Sequence, residues 1–183
     1  SRSGYTGEDG YEISLPAEDV EDFAQLLIDE DEVELAGLGA RDSLRLEAGL
    51  CLYGSDIDLT TTPIEAALTW VVSKNRRQAG AFPGAHIIID QIANRSTKKR
   101  VGIEPEGRAP ARAGTKITDM DGNPIGAITS GGFGPTIGGP VAMGYVDIEF
   151  FKPETPVQLM VRGKAMPAQV IKLPFVPHRY FTS

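Results

Sequence analysis

The sequence contains very little of the material from which disulfides, metal centres and membrane spans are made. Its 183 residues include one cysteine, Cys51, and two histidines, His86 and His178. A single thiol cannot close an internal disulfide, and it makes a cysteine-based zinc site untenable. The two histidines lie far apart in the chain, so we predict no metal site. No apolar run approaches the roughly 18 residues of a membrane helix, so we predict no membrane span.

Positive charge is scarce overall and unevenly distributed. The chain has 18 Lys and Arg against 25 Asp and Glu and a pI near 4.9, which argues against a nucleic-acid partner. Residues 1–85 hold 17 of the acidic and 6 of the basic side chains, whereas residues 86–183 hold 10 of the 13 prolines. These shifts predict a domain boundary between the two stretches.

The first stretch predicts a strand followed by helices. Residues 11–15 alternate between apolar and polar side chains, as a half-buried strand does. Helical spacing of apolar residues follows at 18–27 and again at about 39–48. Thr62 and Glu65 form a capping box around a proline, which predicts a third helix starting there.

The second stretch predicts an antiparallel barrel or sandwich, because short extended segments alternate with Gly and Pro. Asp121-Gly122 and Arg162-Gly163 predict hairpin turns. The predicted fold class is therefore α+β, with an α/β piece before an all-β domain. The extended segments are 86–92, 98–104, 116–120, 125–129, 142–149, 157–162 and 168–172.

Three charged residues are candidates for a binding site, each with a plainer interpretation. Glu12 either lies on a solvated face or accepts two hydrogen bonds from a flat cation or heterocycle edge. Arg41 and Arg45 favour a surface charge network, although a guanidinium directed into a cleft could pair with Glu12 or read a ligand oxygen.

Other conspicuous features favour structural roles. The glycines at 131–134 and 138–139 match no phosphate-binding motif, so we predict a hairpin loop. Cys51 lies between leucines and is predicted to be a buried, inert thiol. The basic cluster at 95–100 favours a solvated strand edge, with an acidic docking partner as the alternative.

Several sequence blocks are more specific than these patterns. They are SGYTGEDGYEI at 3–13, ARDSLRLEAG at 40–49, LCLYG at 50–54, Asp56, TTP at 61–63, FPG at 82–84, TSG at 129–131, AMGYV at 142–146 and PFVP at 174–177. In this order they resemble the aminomethyltransferase (T-protein) family of the glycine cleavage system. The resemblance covers nearly all 183 residues, which correspond to the C-terminal half of the family's chain.

The resemblance implies an enzyme that uses tetrahydrofolate. Such a protein takes the aminomethyl group from the lipoyl arm of the H-protein and passes its one-carbon unit to tetrahydrofolate, releasing ammonia. It implies that residues 1–85 complete folate-binding α/β lobes and that residues 86–183 form the C-terminal β-barrel. It also implies folate contacts at Tyr5, Glu12 and Arg41 and substrate contacts at Tyr180 and Arg179.

The same resemblance identifies no catalytic residue in this chain, and it leaves several alternative functions open. The family's catalytic Asp belongs to the N-terminal half, so we assign no catalytic residue here and expect this chain alone to be inactive. The wording of the blocks favours a mitochondrial matrix protein, with a bacterial cytoplasmic one as the alternative. The other functions considered are the folate-dependent C-terminal region of a dimethylglycine or sarcosine dehydrogenase, a non-catalytic folate-binding module, and a purely structural β-barrel.

Overall fold

The computed structural model describes residues 1–181, and its largest element is a closed barrel of six antiparallel strands. Around the barrel the order is β1-β4-β3-β2-β5-β6, and β6 pairs back onto β1. The barrel and the helices before it confirm the predicted α+β class and decide in favour of a barrel over a sandwich. The strands are β1 (Lys98–Pro105), β2 (Lys116–Thr118), β3 (Pro124–Gly134), β4 (Gly139–Asp147), β5 (Pro156–Val161) and β6 (Lys164–Ile171).

Aliphatic side chains fill the barrel interior. Ile103, Ile117, Val146, Leu159 and Val170 are fully buried and belong to one hydrophobic cluster. Burial on this scale is the main favourable term for folding the barrel. Lys98–Arg100 pair with β4 on one side only, because β6 pairs with residues 102–105. The predicted solvated strand edge therefore holds for the exposed Lys98 but not for Arg100, which is buried.

Two predicted turns join neighbouring strands. Gly122, with φ of 89°, lies in the turn between β2 and β3. Arg162 and Gly163 have φ of 50° and 77° and connect β5 to β6 directly. Two successive left-handed residues are the signature of a type I′ turn, whose twist suits a two-residue hairpin. Both hairpin predictions are confirmed.

Four α-helices precede the barrel. The helices predicted at 18–27 and 39–48 are present, but the strand predicted at 86–92 is wrong because this segment is helical. Its apolar residues Ala85, Ile88 and Ile89 fall at helical spacing, which outweighs the strand preference of three consecutive isoleucines. The helices are α1 (Val20–Ile28), α2 (Leu38–Glu47), α3 (Lys74–Ala79) and α4 (Ala85–Asn94), and none in residues 1–181 has the length and apolarity to cross a membrane.

Two further predictions for the first stretch were wrong. Residues 11–15 are exposed and form no strand: Glu12 exchanges backbone hydrogen bonds with Ser1, but a single such pair does not make a ladder. The capping box forms as predicted, with Thr62 and Glu65 bonded reciprocally, but only a turn follows. The carbonyls of Glu65 and Ala66 accept hydrogen bonds from Arg100 instead of from a further helical turn.

Helix α2 carries the connection between the helical region and the barrel. It ends in a Schellman motif, in which Gly49 has φ of 67° and Leu50 N–H reaches back to the Arg45 carbonyl at 2.9 Å. Leu46 is buried with Val141 and Met143 of β4. These contacts hold one face of α2 against the outside of the barrel.

Close packing between β3 and β4 predicts a strict glycine requirement at residue 126. A Cβ there would collide with the Tyr145 carbonyl oxygen, so we expect Gly126→Ala to lower the free energy of unfolding by about 2 kcal/mol. Gly139 of β4 has open space around it, so Gly139→Ala is expected to change the free energy of unfolding by less than about 0.5 kcal/mol. Urea unfolding measures both. Equal stability of the two variants would contradict this packing.

Candidate functional site

A cavity of about 510 Å³ lies between α2 and the barrel and is rich in arginine. Its charged lining comes from Arg41, Asp42 and Arg45 of α2 and from Arg112, with Tyr5 from the start of the chain and Ser130 of β3. We call this cavity the arginine pocket. In the part of the chain that the structure describes, its lining includes neither a histidine nor a cysteine. It is therefore suited to bind aromatic, anionic or carbonyl-bearing groups rather than to supply a nucleophile.

Tyr5 and Arg41 meet at this pocket. The Arg41 guanidinium carbon lies 4.7 Å from the centre of the Tyr5 ring, within the range of a cation–π contact. The Tyr5 hydroxyl donates to the Cys51 carbonyl at 2.6 Å. Burial raises the pKa of Tyr5, which keeps the phenol protonated and able to donate. The hydrogen bond and the stacking together hold a flat surface at the pocket.

Arg45 is not part of a surface network, contrary to the plainer interpretation of its sequence. Its side chain is 4% exposed and forms a 2.7 Å ion pair with Asp56, which is fully buried. Its Nη2 donates to the Ser130 hydroxyl oxygen at 2.9 Å, and its Nε donates to the Asp42 carboxylate at 2.8 Å. A buried ion pair requires several such hydrogen bonds to offset the desolvation of both charges.

Asp56 gathers hydrogen bonds from three parts of the chain. Its carboxylate accepts from Leu52 N–H, the Thr129 hydroxyl and the Ser130 hydroxyl. Its main-chain carbonyl accepts from Tyr145 at 2.8 Å, and burial raises the pKa of that phenol. Residues 50–57, which we call the anchor loop, are thereby fixed to β3 and β4. Because the loop carries the carbonyl that holds Tyr5, Asp56 also positions one wall of the pocket.

Glu47 is a second buried carboxylate, 2% exposed. It accepts hydrogen bonds from the Thr136 amide and hydroxyl and from the Ile137 amide, at 2.7–3.0 Å. Its carbonyl accepts from the amides of Phe175 and Val176 at 3.0 Å. One residue at the end of α2 thus holds both the β3–β4 hairpin and the segment 173–181, which we call the tail. A hairpin is present here, but the prediction that these glycines form its loop was wrong for all but Gly138, since Gly131–Gly134 belong to β3 and Gly139 to β4.

The tail brings Arg179 and Tyr180 to the glycine-rich start of the chain. Arg179 N–H donates to the Gly7 carbonyl at 2.8 Å, and its side chain lies 3.6 Å from Glu8. The Phe181 amide donates to Asp9, and this bond lowers the pKa of Asp9. Gly7 has φ of 80°, and a Cβ there would lie 2.9 Å from the Ala48 side chain. Only glycine therefore lets this segment pack so closely on α2.

The five predicted site residues fall into three places. Tyr5 and Arg41 are together at the arginine pocket. Tyr180 lines a separate depression with residues 2–4 and 8–10. Arg179 forms an isolated β-bridge with Glu8. Glu12 is exposed; its carboxylate is 3.5 Å from the Ser3 hydroxyl and it does not line the arginine pocket. The roles of these residues stay predictions.

Asp56 was named from the sequence only as part of the family resemblance, and its role in the site was missed. Its neighbours Ser55 and Asp58 are polar, so no local pattern signals its burial, and its partner Ser130 is 74 residues away. Spacing along the chain offers no means of finding such a pair.

The fold and pocket define a class: a helical region anchored by buried carboxylates to a closed six-stranded barrel, with an arginine-rich pocket between them. A family model described as "GCVT N-terminal domain" matches residues 1–76. A second, described as "Glycine cleavage T-protein C-terminal barrel domain", matches residues 98–177. The chain belongs to the glycine cleavage T-protein family.

Individual relatives agree with the family models. The chain is 53% identical to "Aminomethyltransferase, mitochondrial" of Canis lupus familiaris over 182 residues, covering all of this chain and 45% of the relative. It is 51% identical to the protein of that name from Homo sapiens, again over 45% of the relative. A crystal structure of the glycine cleavage system aminomethyltransferase T from Bartonella henselae superposes with a TM-score of 0.96 at 51% identity, over 50% of its chain. This chain thus spans about half the length of the relatives it matches.

The buried pair predicts a large difference between two aspartates that contact the same arginine. Asp56→Asn leaves Arg45 buried without its charge partner, and we expect it to lower the free energy of unfolding by about 3 kcal/mol or more. Asp42 is 60% exposed, so Asp42→Asn is expected to cost less than about 1 kcal/mol. Urea unfolding followed by circular dichroism measures both. If Asp56→Asn proved no more harmful than Asp42→Asn, the anchoring role would be wrong.

Proposed function

We propose that this chain contributes the C-terminal portion of an aminomethyltransferase of the glycine cleavage system. In this reaction an aminomethyl group leaves the lipoyl arm of the H-protein, its one-carbon unit joins tetrahydrofolate as methylenetetrahydrofolate, and ammonia is released. Family membership and about 50% identity to named aminomethyltransferases support the proposal. The structural observation that carries it is Arg41 stacked on Tyr5 at a pocket whose walls are fixed by buried ion pairing.

Tetrahydrofolate is a substrate that suits this chemistry. It has a flat pterin ring, a benzoyl ring and a carboxylate-bearing glutamate. The Tyr5 ring and the Arg41 guanidinium offer a stacking surface and a bidentate donor. Glu12 offers an exposed carboxylate, which accepts two hydrogen bonds from adjacent N–H groups of a heterocycle edge. We propose that Tyr5, Glu12, Arg41 and Tyr180 contact the folate, with Arg179 as a further tail contact.

Glu12→Ala tests the folate assignment. We expect the variant to lose about 2 kcal/mol of folate binding, since the heterocycle edge would lose a charged acceptor, which corresponds to a roughly 30-fold weaker Kd. Isothermal titration with reduced folate on the full-length protein measures it. Glu18→Ala, which removes another exposed acid six residues away, should leave the Kd unchanged. An unaltered Kd in Glu12→Ala would refute the assignment.

Catalysis requires a group that these residues do not provide. Asp9 pairs with Arg2 and the Phe181 amide, and Asp42 pairs with Arg45, so both have structural partners. We propose that the proton-handling Asp lies in the N-terminal half of the full-length protein.

The 183-residue chain alone is therefore expected not to form methylenetetrahydrofolate from aminomethyl-lipoyl H-protein and tetrahydrofolate. A coupled assay for methylenetetrahydrofolate tests this, with the full-length protein as the positive control. Product formed by the 183-residue chain at a rate comparable to the full-length protein would contradict the missing-Asp proposal.

Location, partner and domain organisation complete the proposal. We propose the lipoylated H-protein as the partner that supplies the lipoyl group, and division of the chain into a folate-binding portion (1–85) and a barrel domain (86–183). Many of the matched relatives are named as mitochondrial, which supports the mitochondrial matrix. The bacterial relative of known structure keeps the bacterial cytoplasm as the alternative.

A further inference from the structure

A second cavity, of about 460 Å³, lies away from the arginine pocket. Residues just after α2, the middle of β1 and the start of the tail contribute to its lining. No residue that lines the arginine pocket lines this one as well. The proposed function leaves it without a role.

Arg100 of β1 supplies an unneutralised charge to this cavity. Arg100 is 6% exposed. Its guanidinium donates to the carbonyls of Ala66 and Gly49 at 2.9 Å and to Met143 Sδ at 3.0 Å. No carboxylate within residues 1–181 lies within 4.0 Å of it. Buried charges in proteins are ordinarily paired, and the buried Arg45 in this chain has Asp56. Arg100 stands out because all of its hydrogen-bond acceptors within residues 1–181 are neutral.

The Arg100 guanidinium has a donor left over for a ligand. Its Nε and Nη1 make all the hydrogen bonds that it forms with residues 1–181. Its Nη2 forms no hydrogen bond within residues 1–181 and is not fully buried. Because Arg100 lines the cavity, that group is available to an acceptor placed there.

The other charged lining residues, Lys99 and Lys172, are also basic. Lys99, Lys172 and His178 line the cavity, and within the described residues no aspartate or glutamate does. Lys99 Nζ lies 4.9 Å from the centre of the Phe151 ring, and His178 donates from Nε2 to the Ala48 carbonyl. In a chain of net charge −7, a lining with only basic charged side chains creates a local positive potential that favours an anion.

The remaining lining is apolar and partly aromatic. Leu68, Trp70, Phe151, Leu173 and Pro174 form much of the wall, and Trp70 is 76% exposed. A bare inorganic anion would leave these surfaces in contact with water. A ligand with an apolar body would cover them and gain the associated hydrophobic free energy.

We propose that this cavity binds a small organic carboxylate, with the carboxylate on Arg100 Nη2 and its apolar body against Trp70 and Phe151. A carboxylate supplies the charge that Arg100 lacks, and charge-assisted hydrogen bonds of this kind are the strongest that a guanidinium makes. The site is independent of the folate assignment, because the two cavities share no lining residue.

The only tryptophan of the chain makes the site directly measurable. Octanoate is the probe, and 1-octanol is its neutral counterpart of nearly the same size. Titration of the 183-residue chain with octanoate should change Trp70 emission with saturation, and 1-octanol should bind at least tenfold more weakly. Equal affinities for the two compounds, or no change in Trp70 emission with octanoate, would overturn the proposal.

Three variants locate the carboxylate. Arg100→Lys keeps a charge but loses the planar donor, so we expect octanoate affinity to fall about tenfold or more. Lys99→Gln combined with Lys172→Gln touches only side chains with some exposure and should weaken binding about fivefold without unfolding the protein. Lys98→Gln is the matched control, since Lys98 lies beside Lys99 on β1 but faces Tyr145 and does not line the cavity.

The outcomes separate this site from the folate site. If Arg100→Lys fails to fold, the double lysine variant still decides the question. Equal losses in the double variant and in Lys98→Gln would mean that only general surface charge matters, which overturns the proposal. Folate titration of the full-length double variant should give an unchanged Kd, so a failed octanoate site and a failed folate site produce different results.

Discussion

The buried ion pair between Arg45 and Asp56 is the constraint on which the rest of the site depends. It joins three segments that are distant in the chain: α2, the anchor loop and strand β3. Since both charged groups are buried, every hydrogen bond in the group is needed to offset the free-energy cost of desolvating them. The pair therefore defines where α2 sits on the barrel. The placement of α2 also fixes the position of Arg41, which lies one turn earlier on the same helix.

A second set of contacts extends the same helix end to the tail. Glu47 holds the β3–β4 hairpin with its carboxylate and the tail with its carbonyl. The tail in turn pairs with the glycine-rich start of the chain through Arg179 and Phe181. Tyr5 and Tyr180, separated by most of the sequence, consequently belong to segments that are both attached to α2. A fold organised in this way lets a single helix end position contacts from both ends of the chain.

The two cavities differ in how their buried arginines are satisfied. At the arginine pocket, Arg45 is neutralised by Asp56, so the exposed Arg41 and the half-buried Tyr5 are left as the recognition surface. At the second cavity, Arg100 bonds to carbonyls that a helix after Thr62 would otherwise have used. Within residues 1–181 the Arg100 guanidinium has only neutral acceptors.

The amino-acid sequence alone determined the elements whose signals are local. Hairpin turns at Asp121-Gly122 and Arg162-Gly163, the helices α1 and α2 and the barrel strands follow from residue preferences and spacing over a few positions. The blocks of family resemblance also pointed to Tyr5 and Arg41, which the pocket brings together. Only the tertiary structure decided that Arg45, Glu47 and Asp56 are buried, that residues 11–15 form no strand and that the segment after Thr62 does not become a helix. Each of these outcomes depends on a hydrogen-bond partner from a remote part of the chain, present or missing, and periodicity along the sequence carries no information about such partners.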